Sequence, residues 1–120
     1  MKSLVLERPN ELALLERPVP EPASGEVLIR VRSASICHTD FIPMRGEFPG
    51  CKYPTVLGHE FSGVVEQCGS GVTTLRPGDR VACMAYNFCG TCRFCRSGRE
   101  NGCENTRCIP FQIDGAYQEL

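Results

Sequence analysis

No stretch of this chain approaches the about 20 consecutive apolar residues that a membrane-crossing helix needs. The opening run MKSLVLERPN carries one early lysine and a short apolar segment broken by Glu7. That is less than the about 7–15 apolar residues of a secretory signal peptide. An excess of either charge is also lacking: 13 basic and 14 acidic residues leave a net charge of −1. The eleven arginines are scattered rather than bunched, which argues against a nucleic-acid binder. These absences predict a soluble, cytoplasmic protein with neither a membrane nor a nucleic acid as partner.

Regular helix is lacking too, since no segment keeps a helical apolar period over three turns. What stands in its place is punctuation: 12 glycines and 9 prolines interrupt the 120 residues every few positions. Between them lie short apolar runs at Leu4–Leu6, Leu12–Leu15, Val27–Val31, Phe61–Val65 and Val81–Met84. Several are β-branched and bounded by turn signals such as Pro22-Ala-Ser-Gly25 and Arg76-Pro77-Gly78-Asp79. The pattern predicts a mainly β domain, a sheet or barrel of short strands. A length of 120 residues and a 42% hydrophobic content fit one domain with an ordinary core. Pro77-Gly78 suits a type II turn. Cys37 to Met44 has room for one short helical turn ending near Pro43. The half-match to a dinucleotide fingerprint at Gly69–Thr74 is a hairpin turn, because Pro77-Gly78 leaves no room for the helix that the fingerprint must open.

Cysteine is unusually frequent, with nine in the chain. An odd number cannot pair completely within one chain. Cys89, Cys92, Cys95 and Cys103 follow the spacing C-x2-C-x2-C-x7-C inside a polar excursion from Asn87 to Cys108. A segment of that length and polarity is hard to hold by packing. Four thiolates around one zinc ion would supply the missing core as a closed structural site. Two disulfides, unligated thiols or an iron–sulfur centre are the rival arrangements, and the ferredoxin run differs in having a three-residue last spacer followed by proline. Spacing alone leaves Cys108 open as the fourth ligand in place of Cys103. Cys51, Cys68 and Cys83, like Cys108, have no defensible role of their own.

A second set joins Cys37-His38-Thr39-Asp40 to Gly58-His59-Glu60, and it contains both histidines of the chain. A cysteine, a histidine and an acid from separate segments suit an open catalytic zinc site, in which three protein ligands leave a position for water or substrate. For a lone histidine a satisfied core role would be the better expectation. The acid beside it and the cysteine upstream favour ligation.

In order and spacing, Cys37-His-Thr-Asp40, Gly58-His-Glu60, the Pro77-Gly-Asp-Arg-Val81 turn and the four-cysteine lobe resemble the zinc-containing medium-chain alcohol dehydrogenases. The resemblance runs over essentially all of residues 1–120. It implies their N-terminal catalytic domain: a GroES-like β-barrel with a cysteine-rich zinc lobe at about residues 87–108, short helical turns, and a strand at Gly115-Ala-Tyr-Gln-Glu119. It also implies the site. Cys37 and His59 would ligate a catalytic zinc, with Glu60 coordinating it or lying just behind. Thr39 would bond the substrate alcohol and relay its proton. Asp40 would accept from the other ring nitrogen of His59. His38 would contact the pyrophosphate of NAD or NADP. Cys89, Cys92, Cys95 and Cys103 would hold a structural zinc.

The implied activity is oxidation of a small alcohol to an aldehyde or ketone. Zinc would lower the alcohol pKa, the nicotinamide ring would take the hydride, and Thr39 would carry the proton outward. The chain departs from the family in two respects. Many members have a relay histidine three residues after the threonine, where this chain has Ile42. It also contains no true G-x-G-x-x-G, so the nucleotide-binding domain is expected from a longer enzyme, without which the 120 residues would be inactive. A free-standing zinc-binding β module with a scaffold or interaction role is the alternative. Phe41, Phe48 and Tyr53 are equally suited to lining a pocket or to ordinary barrel packing.

Overall fold

The first two apolar runs form a hairpin. In the computed structural model, which describes residues 1–120, β1 (Lys2–Arg8) pairs antiparallel with β2 (Glu11–Glu16) from Lys2↔Glu16 to Leu6↔Leu12. Asn10 turns the corner at φ 62, a left-handed conformation that asparagine tolerates better than most residues. On its other side β1 pairs with β4 (Thr55–Val56), giving the order β2-β1-β4.

The longer β-branched runs build a second antiparallel sheet. β3 (Val27–Ser35) pairs with the whole of β5 (Glu60–Cys68), and β5 pairs with β6 (Arg80–Cys83). The connection from β5 to β6 contains the expected turn. Gly78 sits at φ +96, and the Asp79 N–H donates to the Arg76 carbonyl at 3.1 Å. Residues 69–74 form no helix. The segment after Cys37 is helical to Met44, but in two pieces: a 3₁₀ turn at His38–Asp40 leads directly into α1 (Phe41–Met44), with Cys37 itself extended.

The C-terminal residues close the structure, though not as the regular strand expected. Residues 115–119 make one isolated bridge, Ser3↔Gln118, and bond to three different elements in turn. Gly115 N–H donates to Val56, Ala116 to Gly58 and Tyr117 to Leu57. Tyr117 and Glu119 exchange bonds with Leu4 and Lys2 of β1, and the Val31 N–H of β3 donates to Glu119. The segment thereby joins one sheet to the other. Changing partner at almost every residue precludes an even ladder.

The core is thinner than the composition suggests. Only 15 of 120 residues are buried, and the apolar ones are Val5, Leu6, Leu28, Val56, Leu57, Val65 and Ala116. Short strands separated by glycine and proline present few inward positions. Leu14, Ile36 and Met84 instead stand two-thirds or more exposed. No helix is long and apolar enough to cross a membrane.

Candidate metal and catalytic site

The cysteine-rich excursion is tied off at its neck by β7 (Tyr86–Asn87) and β8 (Arg107–Cys108), which pair antiparallel. Inside the neck lie α2 (Arg93–Arg96) and a 3₁₀ turn at Glu100–Gly102. No residue from 87 to 108 is buried, so apolar packing does not account for its shape. The four sulfurs of Cys89, Cys92, Cys95 and Cys103 lie within 4.8 Å of one another. Cys92 Sγ is 3.6 Å and Cys89 Sγ 4.0 Å from Cys95 Sγ. Sulfurs at zinc–thiolate bond length on a tetrahedron stand about 3.8 Å apart, so this donor set fits one zinc ion. An iron–sulfur cluster interposes its own sulfides and holds cysteines farther apart. Cys108 stands outside the group: its backbone pairs with Tyr86, and its thiol lies 3.3 Å from the Ile109 carbonyl.

Backbone donors converge on these sulfurs. Cys92 N–H points at Cys89 Sγ and Cys89 N–H at Cys103 Sγ, each at 3.4 Å. Bonds from Thr91 and Cys92 pull the Cys89 thiol down to about 5. Desolvation, followed by the neighbouring thiols, pushes Cys95 up to about 12. Four thiols so close do not ionise together without a cation, which is further reason that the set suits a metal.

The open set is assembled across the two halves of the domain. Cys37 ends the segment after β3, His59 precedes β5 and Glu60 begins it, and their ligand atoms lie within 4.8 Å of one another. All three are partly or fully solvent-accessible, so a ligand can reach them. Thr39 Oγ1 is 3.5 Å from Cys37 Sγ and exposed. His38 is exposed too, its ring 6.1 Å from that of Phe41. Ile42 is half-buried in α1 and supplies no relay group. Phe48 stacks on Phe111 at 4.2 Å, and the Tyr53 hydroxyl donates to the Pro43 carbonyl at 2.6 Å, so both serve packing. Phe41 is 39% exposed next to the open set.

Asp40 organises this site from beneath. It is 2% exposed and is surrounded by donors. Cys37 N–H reaches Oδ2 at 3.0 Å, Gly58 N–H reaches Oδ1 at 3.3 Å, and His59 Nδ1 lies 3.3 Å from Oδ1. The fourth donor is the Tyr117 hydroxyl, 2.7 Å from Oδ2. Burial and the Asp40 carboxylate raise the Tyr117 phenol well above its ordinary range, so it stays a proton donor. The sequence pattern pointed to Asp40 but missed Tyr117, because 77 positions separate them. Gly58 is required by its φ of +92 and by the Tyr117 ring, which a Cβ there would meet at 2.6 Å.

Comparison with known proteins shows the family of the fold. The alcohol dehydrogenase GroES-like domain family matches residues 23–120. The starvation-sensing protein RspB of Escherichia coli K12 is 43% identical over 119 residues, 99% of this chain and 35% of that protein. A solved alcohol dehydrogenase of E. coli CFT073, complexed with NADH, superposes with a TM-score of 0.88 at 41% identity, covering 99% of this chain and 34% of that one. The cobalt- and zinc-bound thermostable alcohol dehydrogenase of Pyrobaculum aerophilum gives a TM-score of 0.91 at 36% identity, covering 99% and 37%. The chain thus spans about a third of the length of the relatives it matches. By fold, by sequence over more than half its length and by the order of its motifs, the chain belongs to the alcohol dehydrogenase GroES-like domain family.

Proposed function

We propose that residues 1–120 are the soluble, cytoplasmic catalytic domain of an NAD(P)-dependent zinc alcohol dehydrogenase. It would act on a small alcohol or carbonyl compound together with a nucleotide-binding domain of the same enzyme. The observation that carries this is the presence of two different metal-type sets in one domain. Cys89, Cys92, Cys95 and Cys103 form a closed group of thiols, and Cys37, His59 and Glu60 form an accessible one. Closed sets build structure, while open ones leave a position for a reactant.

Cys37 and His59, with Glu60 coordinating or just behind, would hold the catalytic zinc, and the four lobe cysteines would hold the structural one. A zinc ion in the open set supplies Lewis-acid chemistry that eases loss of an alcohol proton, and NAD(P) supplies the hydride acceptor. The chain's own residues do the rest. Asp40 orients the His59 ring through Nδ1, leaving Nε2 for the metal side. Thr39, exposed beside Cys37, receives the substrate proton and passes it toward solvent. His38, with its ring at the surface, binds the cofactor's pyrophosphate.

Metal analysis and activity of the longer protein test this together. It should carry two zinc ions per chain and oxidise alcohols only with NAD or NADP. Cys37→Ser should remove one ion and the activity while sparing the other ion. An enzyme that keeps both ions and its turnover after that change would overturn the assignment.

A further inference from the structure

Asp40 receives its fourth donor from a residue near the end of the chain, in a segment with no other link to catalysis. We propose that Tyr117 is a positioning residue for the open metal site, its hydroxyl holding the Asp40 carboxylate and its ring holding the Gly58–His59 backbone. This rests on the assignment of Cys37 and His59 as metal ligands made above.

The hydroxyl has one proton and two acceptors within reach. Asp40 Oδ2 is 2.7 Å away and the Ser35 carbonyl 3.1 Å. The shorter, charge-assisted bond takes the proton. Oδ2 also accepts the Cys37 N–H, and Oδ1 faces Gly58 N–H and His59 Nδ1. One carboxylate therefore grips both ligand-bearing segments: Oδ2 is held by two donors, and Oδ1 by the Gly58 N–H with His59 Nδ1 beside it. Without the phenol, Oδ2 keeps only the Cys37 N–H, and the carboxylate is freer to rotate away from His59.

The ring acts on the second segment independently. Its Cδ1 and Cε1 lie where a Gly58 side chain would be, and the Tyr117 N–H donates to the Leu57 carbonyl at 3.0 Å. Tyr117 is thus in contact with the residue preceding His59 and bonded to the carboxylate behind it. The position explains why a strand-like C-terminal segment turns this side chain inward, toward the joint between the 3₁₀ turn and β5. Partners lying behind a metal ligand commonly alter metal affinity by about 10–100-fold when removed. A residue acting through Asp40 should fall near the lower end of that range.

Tyr117→Phe keeps the ring and the backbone bonds and deletes only the hydroxyl. The intact wild-type and variant chains are loaded with Co²⁺, whose visible bands report the ligands. Each is then challenged with EDTA while metal release and far-UV circular dichroism are followed. Open-site metal should leave the variant roughly tenfold faster, with its cobalt bands shifted, while the four-cysteine lobe releases its metal at the wild-type rate. Unchanged release and bands at the open site would overturn the role of Tyr117 but leave the metal assignment standing. Equal acceleration at both sites, or loss of secondary structure, would reduce Tyr117 to general packing and overturn it equally. A wild-type chain with no cobalt bands from the Cys37 and His59 set would sink the metal assignment and the proposal with it.

Discussion

Asp40 Oδ1 lies 3.3 Å from His59 Nδ1, and the aspartate is almost wholly sealed from solvent. A buried carboxylate is costly unless every oxygen is bonded. Here the bonds come from the two segments that carry Cys37 and His59. The same contacts that stabilise the carboxylate therefore set the spacing of the open site. Asp40→Ala leaves Cys37 N–H and Gly58 N–H without their acceptor and the Tyr117 hydroxyl with only the Ser35 carbonyl. It should cost about 3 kcal/mol of stability, read from the urea unfolding midpoint, and should abolish metal retention at Cys37 and His59. A variant with wild-type stability would show that water replaces the carboxylate.

The identity of the fourth lobe ligand is open to direct test. Cys103→Ser should release the lobe metal and increase proteolysis between residues 87 and 108, since metal binding there supplies the local folding energy. Cys108→Ser should leave the metal in place, because its sulfur is turned toward the Ile109 carbonyl rather than the cluster. Metal counting by mass spectrometry under native conditions distinguishes the two; the opposite outcome would reassign the ligand.

Chelation should separate the two sites in time. The closed lobe would surround its ion with four sulfurs, while the Cys37, His59 and Glu60 set leaves ligand atoms open to solvent. Mild chelation should therefore strip the open site first and the lobe later. Equal rates of loss would contradict that difference in closure.

Metal loading should protect the lobe thiols from alkylation. With the four sulfurs gathered on one ion, brief iodoacetamide treatment should leave Cys89, Cys92, Cys95 and Cys103 unmodified, and removing the metal should expose all four, because the shape of the lobe depends on that ion. Peptide mapping reads the outcome, and equal labelling with and without metal would refute the structural role.

Thr39 is assigned to the proton rather than to the metal. In the longer protein, Thr39→Ala should lower turnover strongly and leave zinc content unchanged. Residues 1–120 alone should not turn over with NAD or NADP, because holding the nicotinamide ring against the alcohol supplies about 7–11 kcal/mol of the barrier. Steady-state assays of both proteins decide the matter. Robust turnover by residues 1–120 would overturn the need for a nucleotide-binding domain, and a Thr39→Ala enzyme with normal turnover would remove Thr39 from the mechanism.

Much of this protein is determined locally and is therefore legible in its sequence. The apolar runs between turn residues became β1, β2, β3, β5 and β6, because alternation and breakers act over a few residues. The lobe cysteines were legible for the same reason: short spacers alone bring them near one another. Tertiary structure decided what depends on distant contacts. It turned Cys108 away from the cluster by pairing its strand with β7, a choice that spacing could not make. It drew residues 115–119 across β1, β3 and β4 instead of into one ladder. It brought Tyr117 to Asp40 and Gly58, which lie 77 and 59 positions earlier in the chain. No local pattern encodes that approach, since it exists only once residues 115–119 have joined one sheet to the other and brought the phenol to an Asp40 carboxylate whose own turn supplies only the Cys37 N–H.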